Sequence, residues 1–243
     1  MSGVSTLANF RDIAGAAPGI ARGVYYRSDA PAAGDEPPVG AVWPPRTVFD
    51  LRDPGESAGH HALDDVSDVR HVKVFADAAI GELIAKAGTT TLAQMYATLI
   101  ESPQAEALTS VVRGIATEPA PVLVHCSAGK DRAGVTAALV LALLGAPRGD
   151  IVADYTATAA NMPGVMARFL EAMPVEMRAA ASGADFEGSE LLDAPASAIE
   201  SVLDAWDGYA GDVGTGVEGW YLAHGGDAQT LADLRERLKG GVR

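Results

Sequence analysis

The run PVLVHCSAGKDRAGVTAALVLALLG, residues 121 to 145, leaves the chain few choices. PVLVH is short, apolar and rich in β-branched residues, the pattern of a buried strand. The segment after it is small, polar and charged, and reads as a loop. From Val135 the chain is apolar again for a helix's length, although too short to span a bilayer. A strand, a loop and a helix in that order place the loop at the carboxyl end of the strand and at the helix N-terminus. Unpaired backbone N–H groups there face whatever occupies the loop, and the helix dipole favours negative charge.

The other segments suit the same architecture. VYYRSD (24–29), RTVFDLRD (46–53) and VRHVKVF (69–75) read as further strands. A helical stretch runs from Leu92 to Thr117 with a break near Pro103. From Asp150 onward the chain reads as helices, with an Asp start and a break at Pro163. A closing helix has Asp227 as N-cap, Leu231, Leu234 and Leu238 on one face, and Gly240 as stop. Strands alternating with helices predict an α/β fold with a mainly parallel sheet covered by helices on both faces. No repeat or long linker divides the chain, so residues 1–243 read as a single domain.

The loop holds Cys126, the one cysteine of 243 residues. A lone thiol rules out an internal disulfide framework and a cysteine-rich zinc site, and it suits a reducing, cytoplasmic compartment. The five histidines show no metal-ligand spacing; His60 and His61, beside Gly59, read as a solvated loop. No metal and no cofactor is expected. A net charge of −14 argues against nucleic acid and anionic membrane surfaces as partners. A phosphate site would have to be a local positive island. The N-terminal stretch shows neither a basic nor an apolar signal region, so no cleavable signal peptide is expected.

Around Cys126 the residue types converge on one chemistry. A helix N-terminus and the nearby cations Lys130 and Arg132 favour thiolate over thiol. Arg132, six residues after the cysteine, offers a planar fork for two phosphate oxygens. The backbone of Ser127, Ala128, Gly129 and Lys130 would supply the other donors. Gly129 and Gly134 suit a backbone that curls tightly around a ligand. Thiolate below phosphorus, with donors around the equatorial oxygens, is the arrangement for in-line phosphoryl transfer to sulfur. His125 is expected to fix the loop by hydrogen bonds. Lys130 either meets a second substrate phosphate or offsets Asp131.

HCSAGKDRAG resembles the Cys-x5-Arg signature of the cysteine-dependent phosphatases, in the form carried by the bacterial tyrosine phosphatase B branch. ANFRDIAG (8–15), GVYYRSD (23–29), FDLRDPGE (49–56) and DIVADY (150–155) resemble segments of that branch in the same order. The resemblance implies the tyrosine-phosphatase fold, with helices after Asp150 as a candidate lid. It also implies phosphorylated protein or phosphoinositide substrates, hydrolysed through a phosphocysteine. No stable membrane insertion is expected, and export without a cleavable signal is the alternative to a cytoplasmic home. The family's general acid is an aspartate on a loop after a strand, which Asp77 in VFADAA resembles. Ala76 departs from the usual proline there, and Asp131 is the rival acid. Asp50 and Arg52 are expected to brace the loop from the neighbouring strand, with Arg11 and Asp12 as further braces. Ala133 departs from the Ser or Thr that usually follows the arginine. The competing readings are a phosphate-binding pseudophosphatase and an arsenate-reducing or sulfur-transfer enzyme. Arsenate reduction generally needs further cysteines, which this chain lacks.

Overall fold

The computed structural model describes residues 6–56, 59–74, 91–173 and 193–240. Its centre is a sheet in the order β1-β2-β5-β3-β4. β5 (Val122–His125) lies in the middle, with β2 (Tyr25–Ser28) and β3 (Thr47–Asp50) parallel to it on either side. β4 (Asp68–His71) extends the parallel set, and β1 (Arg11–Asp12) closes the far edge antiparallel to β2. In register, Ser28, Asp50 and His125 stand side by side, so three strands end together where the loop begins.

Alternation along the strands separates two cores. Tyr25, Phe49, Val122 and Val124 face the main one. It is filled by α1 (Leu92–Leu99), α2 (Gln104–Thr117), α3 (Arg132–Leu143), α4 (Arg148–Thr156), α6 (Ala196–Asp207), α7 (Gly216–Ala223) and α8 (Ala228–Lys239). Tyr26, Val48 and Leu123 face the other side, against Leu63, Phe10 and Trp43. Among the described residues that second face is covered by loop residues rather than by a helix. α3 is buried along nearly its whole length, as its apolar sequence requires. No helix of the described residues is long and apolar enough to cross a membrane.

Side-chain caps start α1 and α8. Thr91 and Gln94 form a reciprocal capping box on α1. Asp227 accepts from Thr230 N at 2.8 Å and starts α8, whose Leu231, Leu234 and Leu238 are buried. The expected break at Pro163 is absent. The kink falls at Ala157, between α4 and α5 (Thr158–Ala172), and Pro163 lies inside α5. A proline inside a helix forfeits one backbone bond, and α5 continues through it. The Thr158 hydroxyl, held by Arg11 at 2.8 Å, fixes the new start. α4 begins at Arg148, before Asp150. At its other end α5 is tied down by Arg168, which pairs with Asp29 and Asp35 at 2.7 Å each.

Gly114 on α2 shows how tightly the main core is filled. A Cβ there would overlap the Phe49 ring of β3. Gly114→Ala is therefore expected to destabilise the fold by about 1–3 kcal/mol, as overpacking does. A melting temperature unchanged from wild type would contradict this packing.

Candidate active site

The loop between β5 and α3 turns all of its early carbonyls outward. His125 Nδ1 lies 3.2 Å from Cys126 O. Ala30 N donates to Ser127 O at 3.1 Å. Asn9 Nδ2 donates to Ala128 O at 2.9 Å, and Arg27 Nη2 to Gly129 O at 2.8 Å. In a trans peptide the N–H points opposite to the C=O. Outward carbonyls therefore aim the N–H groups of Ser127, Ala128, Gly129 and Lys130 inward, over Cys126. Gly129 makes the curl feasible: its φ is +70°, and a Cβ would overlap the backbone of Ser28.

The braces behind this cradle are mostly buried ions. Arg27 is fully buried and pairs with Asp154 at 2.5 Å. Arg11 reaches the same carboxylate at 3.1 Å and holds Asn9 Oδ1 at 2.6 Å. Burial and the nearby Arg27 lower the Arg11 guanidinium to about 10. Arg11 thus reaches the loop through Asn9, whose amide donates to Ala128 O. Asp12 does not: it accepts from Ala14 N and Gly23 N and serves the turn after β1. Its carboxylate caps the 3-10 turn Ile13–Gly15, a local task for an Asx residue.

Arg132 begins α3 and is clamped from the other side. Its Nη1 donates to Leu51 O at 3.0 Å and to Glu56 at 2.5 Å, and its Nη2 to Glu56 at 2.8 Å. Burial disfavours its charge, but the Glu56 bonds and the Cys126 sulfur outweigh that and raise its pKa. Burial likewise opposes ionisation of Glu56, and Arg132 overcomes it, holding the carboxyl below its ordinary range. Glu56 grips the Nη edge of the guanidinium and fixes its plane. Ser127 Oγ also donates to Glu56, at 3.1 Å, so this hydroxyl is turned to the carboxylate.

Asp50 ends β3 beside His125, and Arg52 follows it. Arg52 binds Asp50 through its backbone N and guanidinium, and Asp50 Oδ1 lies 3.8 Å from His125 Nε2. Arg52 and His125 hold Asp50 well below the usual carboxylate range against the cost of burial. Lys130 is buried, and its Nζ donates to Asp193 O at 2.9 Å while lying 3.6 Å from Asp131. Asp131 accepts from Tyr96 Oη at 2.6 Å, and Tyr155 Oη, 2.7 Å from Tyr96 Oη, completes the chain as donor. Asp77 lies outside the described residues.

Asn9, Arg27, Glu56 and Asp154 are brought to the site and escape a reading of the loop alone. Each lies in a segment that resembles the phosphatase branch, which was their one signal. His61 was read as solvated and is buried; its neighbour His60 is exposed. Its Nε2 lies 2.9 Å from His125 Nε2. An imidazole satisfied on both nitrogens by the fold can be buried neutral, and adjacency to an exposed histidine hides that.

A sequence profile described as the tyrosine phosphatase family matches residues 3–240. The chain belongs to that family. A stretch of 51 residues is 51% identical to the triple specificity protein phosphatase PtpB of Mycobacterium tuberculosis, covering 21% of this chain and 18% of the relative. A putative tyrosine-protein phosphatase of Cupriavidus necator is 31% identical over 164 residues, 62% of this chain and 60% of the relative. A tyrosine-protein phosphatase of Nostoc commune is 45% identical over 49 residues, 20% of this chain and 17% of the relative. In each case the chain spans less than two thirds of the relative's length.

The buried histidines give the fold a pH dependence of definite sign. Burial lowers His125 from 6.5 to about 3 and lowers His61 as well. The unfolded chain therefore binds protons below pH 6.5 that the native state refuses. Stability is full above that pH and is lost as pH falls toward 3. The expected slope is up to about 1.4 kcal/mol per pH unit for each refused proton. Denaturant titrations at pH 5 and 7 should show lower stability at pH 5, and His125→Gln should reduce the difference. Equal stability at both would contradict a neutral buried pair.

Proposed function

We propose that the protein is a phosphoric monoester hydrolase that works through a phosphocysteine. The observation that carries this is the outward tying of four successive carbonyls around Cys126. Inward N–H groups and the Arg132 fork suit a phosphate dianion whose equatorial oxygens need donors already in place. The Cys126 thiolate attacks phosphorus in line, the S–P bond forms, and the P–O bond to the leaving group breaks. An aspartic acid protonates the departing oxygen. Water then attacks phosphorus, the P–S bond breaks, and inorganic phosphate leaves.

Asp77 is our choice for the acid. Asp131 is the rival, but its carboxylate is already engaged by the Tyr96 hydroxyl at 2.6 Å, with Lys130 Nζ 3.6 Å away. The substrate range we assign is phosphotyrosine, extending to phosphoserine, phosphothreonine and phosphoinositides. The extension leans on the name of the mycobacterial relative and on Lys130. Because Lys130 Nζ is engaged by Asp193 O, a second substrate phosphate would have to share or displace that contact.

One set of variants assayed on aryl phosphates of graded leaving-group strength tests the whole scheme. Cys126→Ser should abolish turnover while phosphate analogues still bind, and Arg132→Lys should lose most activity, since an ammonium cannot bridge two oxygens. Asp77→Asn should slow poor leaving groups by about 10²–10⁴-fold and activated ones far less. Turnover by Cys126→Ser within tenfold of wild type, or loss of activity to a chelator, would overturn the thiolate mechanism. Leaving-group dependence in Asp131→Asn and not in Asp77→Asn would transfer the acid's role to Asp131. Binding without turnover in the wild type would favour the pseudophosphatase reading.

A further inference from the structure

His61 is 1% exposed and lies outside the sequence motif, its ring against that of His125 at the end of β5. Its hydrogen bonds specify where its proton sits. Leu63 N donates to His61 Nδ1 at 3.0 Å, so that nitrogen is the acceptor. A neutral imidazole has one donor and one acceptor, and His61 therefore carries its proton on Nε2. That N–H faces His125 Nε2 at 2.9 Å, which must then be the acceptor. His125 is left with its proton on Nδ1, 3.2 Å from Cys126 O. The chain of bonds runs in one direction, from Leu63 N–H through both rings to the first carbonyl of the loop. Burial keeps both rings neutral, lowering His125 to about 3 and His61 from its ordinary value.

Without His61, His125 has a competing choice. Asp50 Oδ1 stands 3.8 Å from His125 Nε2 and would draw a proton to that nitrogen. The ring would then turn a bare Nδ1 toward the Cys126 carbonyl, lone pair against lone pair. The outward tie on the peptide between Cys126 and Ser127 would be lost, and with it the fixed inward aim of Ser127 N–H.

The same groups, Asp50, His61 and His125, lie close enough to hold a cation. The hydrogen bonds argue against it. A metal on His61 Nε2 would place the proton on Nδ1, against the Leu63 N–H that Nδ1 now accepts.

We infer that His61 is a positioning residue: it donates to His125 Nε2 and so fixes the tautomer that holds the Cys126 carbonyl outward. The kinetic side of this rests on the phosphatase reading, but the tautomer does not. Long-range 1H–15N spectra of the imidazoles in the wild-type chain should show His125 protonated on Nδ1 and His61 on Nε2. In His61→Leu, His125 should shift to the Nε2–H form, and kcat/KM on an aryl phosphate should fall about tenfold, the scale of one lost hydrogen bond. His61→Gln, whose amide can still donate, should keep the Nδ1–H form and most of the activity. An Nε2–H His125 in the wild type overturns the inference. So does an Nδ1–H His125 in His61→Leu, whatever its activity. Should His61→Leu fail to fold, an Nε2–H His125 in His61→Gln overturns it as well. A wild type with the expected tautomers but no turnover would fail the phosphatase reading alone.

Discussion

Everything at this site depends on which way four peptide planes face. A loop of small residues has no intrinsic reason to point its N–H groups inward. Left to itself it would present carbonyl oxygens to the centre as often as donors, and a phosphate would be repelled. Here each of the carbonyls from Cys126 to Gly129 is captured from outside by a different element: His125 of β5, the chain after β2, Asn9 before β1, and Arg27 of β2. Each bond is worth only about 1 kcal/mol net. Together they remove the alternative orientations, and that preorganisation is what an oxyanion-stabilising site requires.

The cost of this arrangement is buried charge, and the fold neutralises it locally. Arg27 is inaccessible to solvent, and Asp154 beneath it accepts from Arg11 as well. Removing one partner of such a pair leaves an uncompensated charge, typically a loss of 3–5 kcal/mol. Arg132 and Glu56 repeat the device at the start of α3. Glu56 also offsets positive charge beside the cradle. In a chain of net charge −14 this local balance replaces any long-range attraction.

The strand–loop–helix at Cys126 was legible because three kinds of signal agree there: β-branched residues before it, small and charged ones within it, apolar ones after it. The parallel strands around it were legible for the same reason. What failed did so where tertiary contacts outvoted local pattern. Pro163 is a helix breaker in isolation, yet α5, whose Thr158 is anchored by Arg11, runs through it. His61 looked solvated beside His60 and Gly59, and only the fold brings it to His125. Glu56 and Arg27 carry no mark of their own as clamps, because their partners lie 76 and 102 residues away along the chain.

Ala133, buried at the start of α3, carries no hydroxyl, and Ser127 Oγ donates to Glu56. On the proposed phosphocysteine mechanism, a departing thiolate then lacks a hydroxyl donor from either residue, which makes hydrolysis of the intermediate the slow step. The phosphocysteine should therefore accumulate. Rapid mixing with an aryl phosphate, acid quench within the first turnover and mass spectrometry of the peptides reads this directly. The account predicts a product burst and a phosphoryl group on the peptide bearing Cys126, absent from Cys126→Ser. A phosphoryl group on another residue, or active turnover with no burst and no modified cysteine, would contradict it.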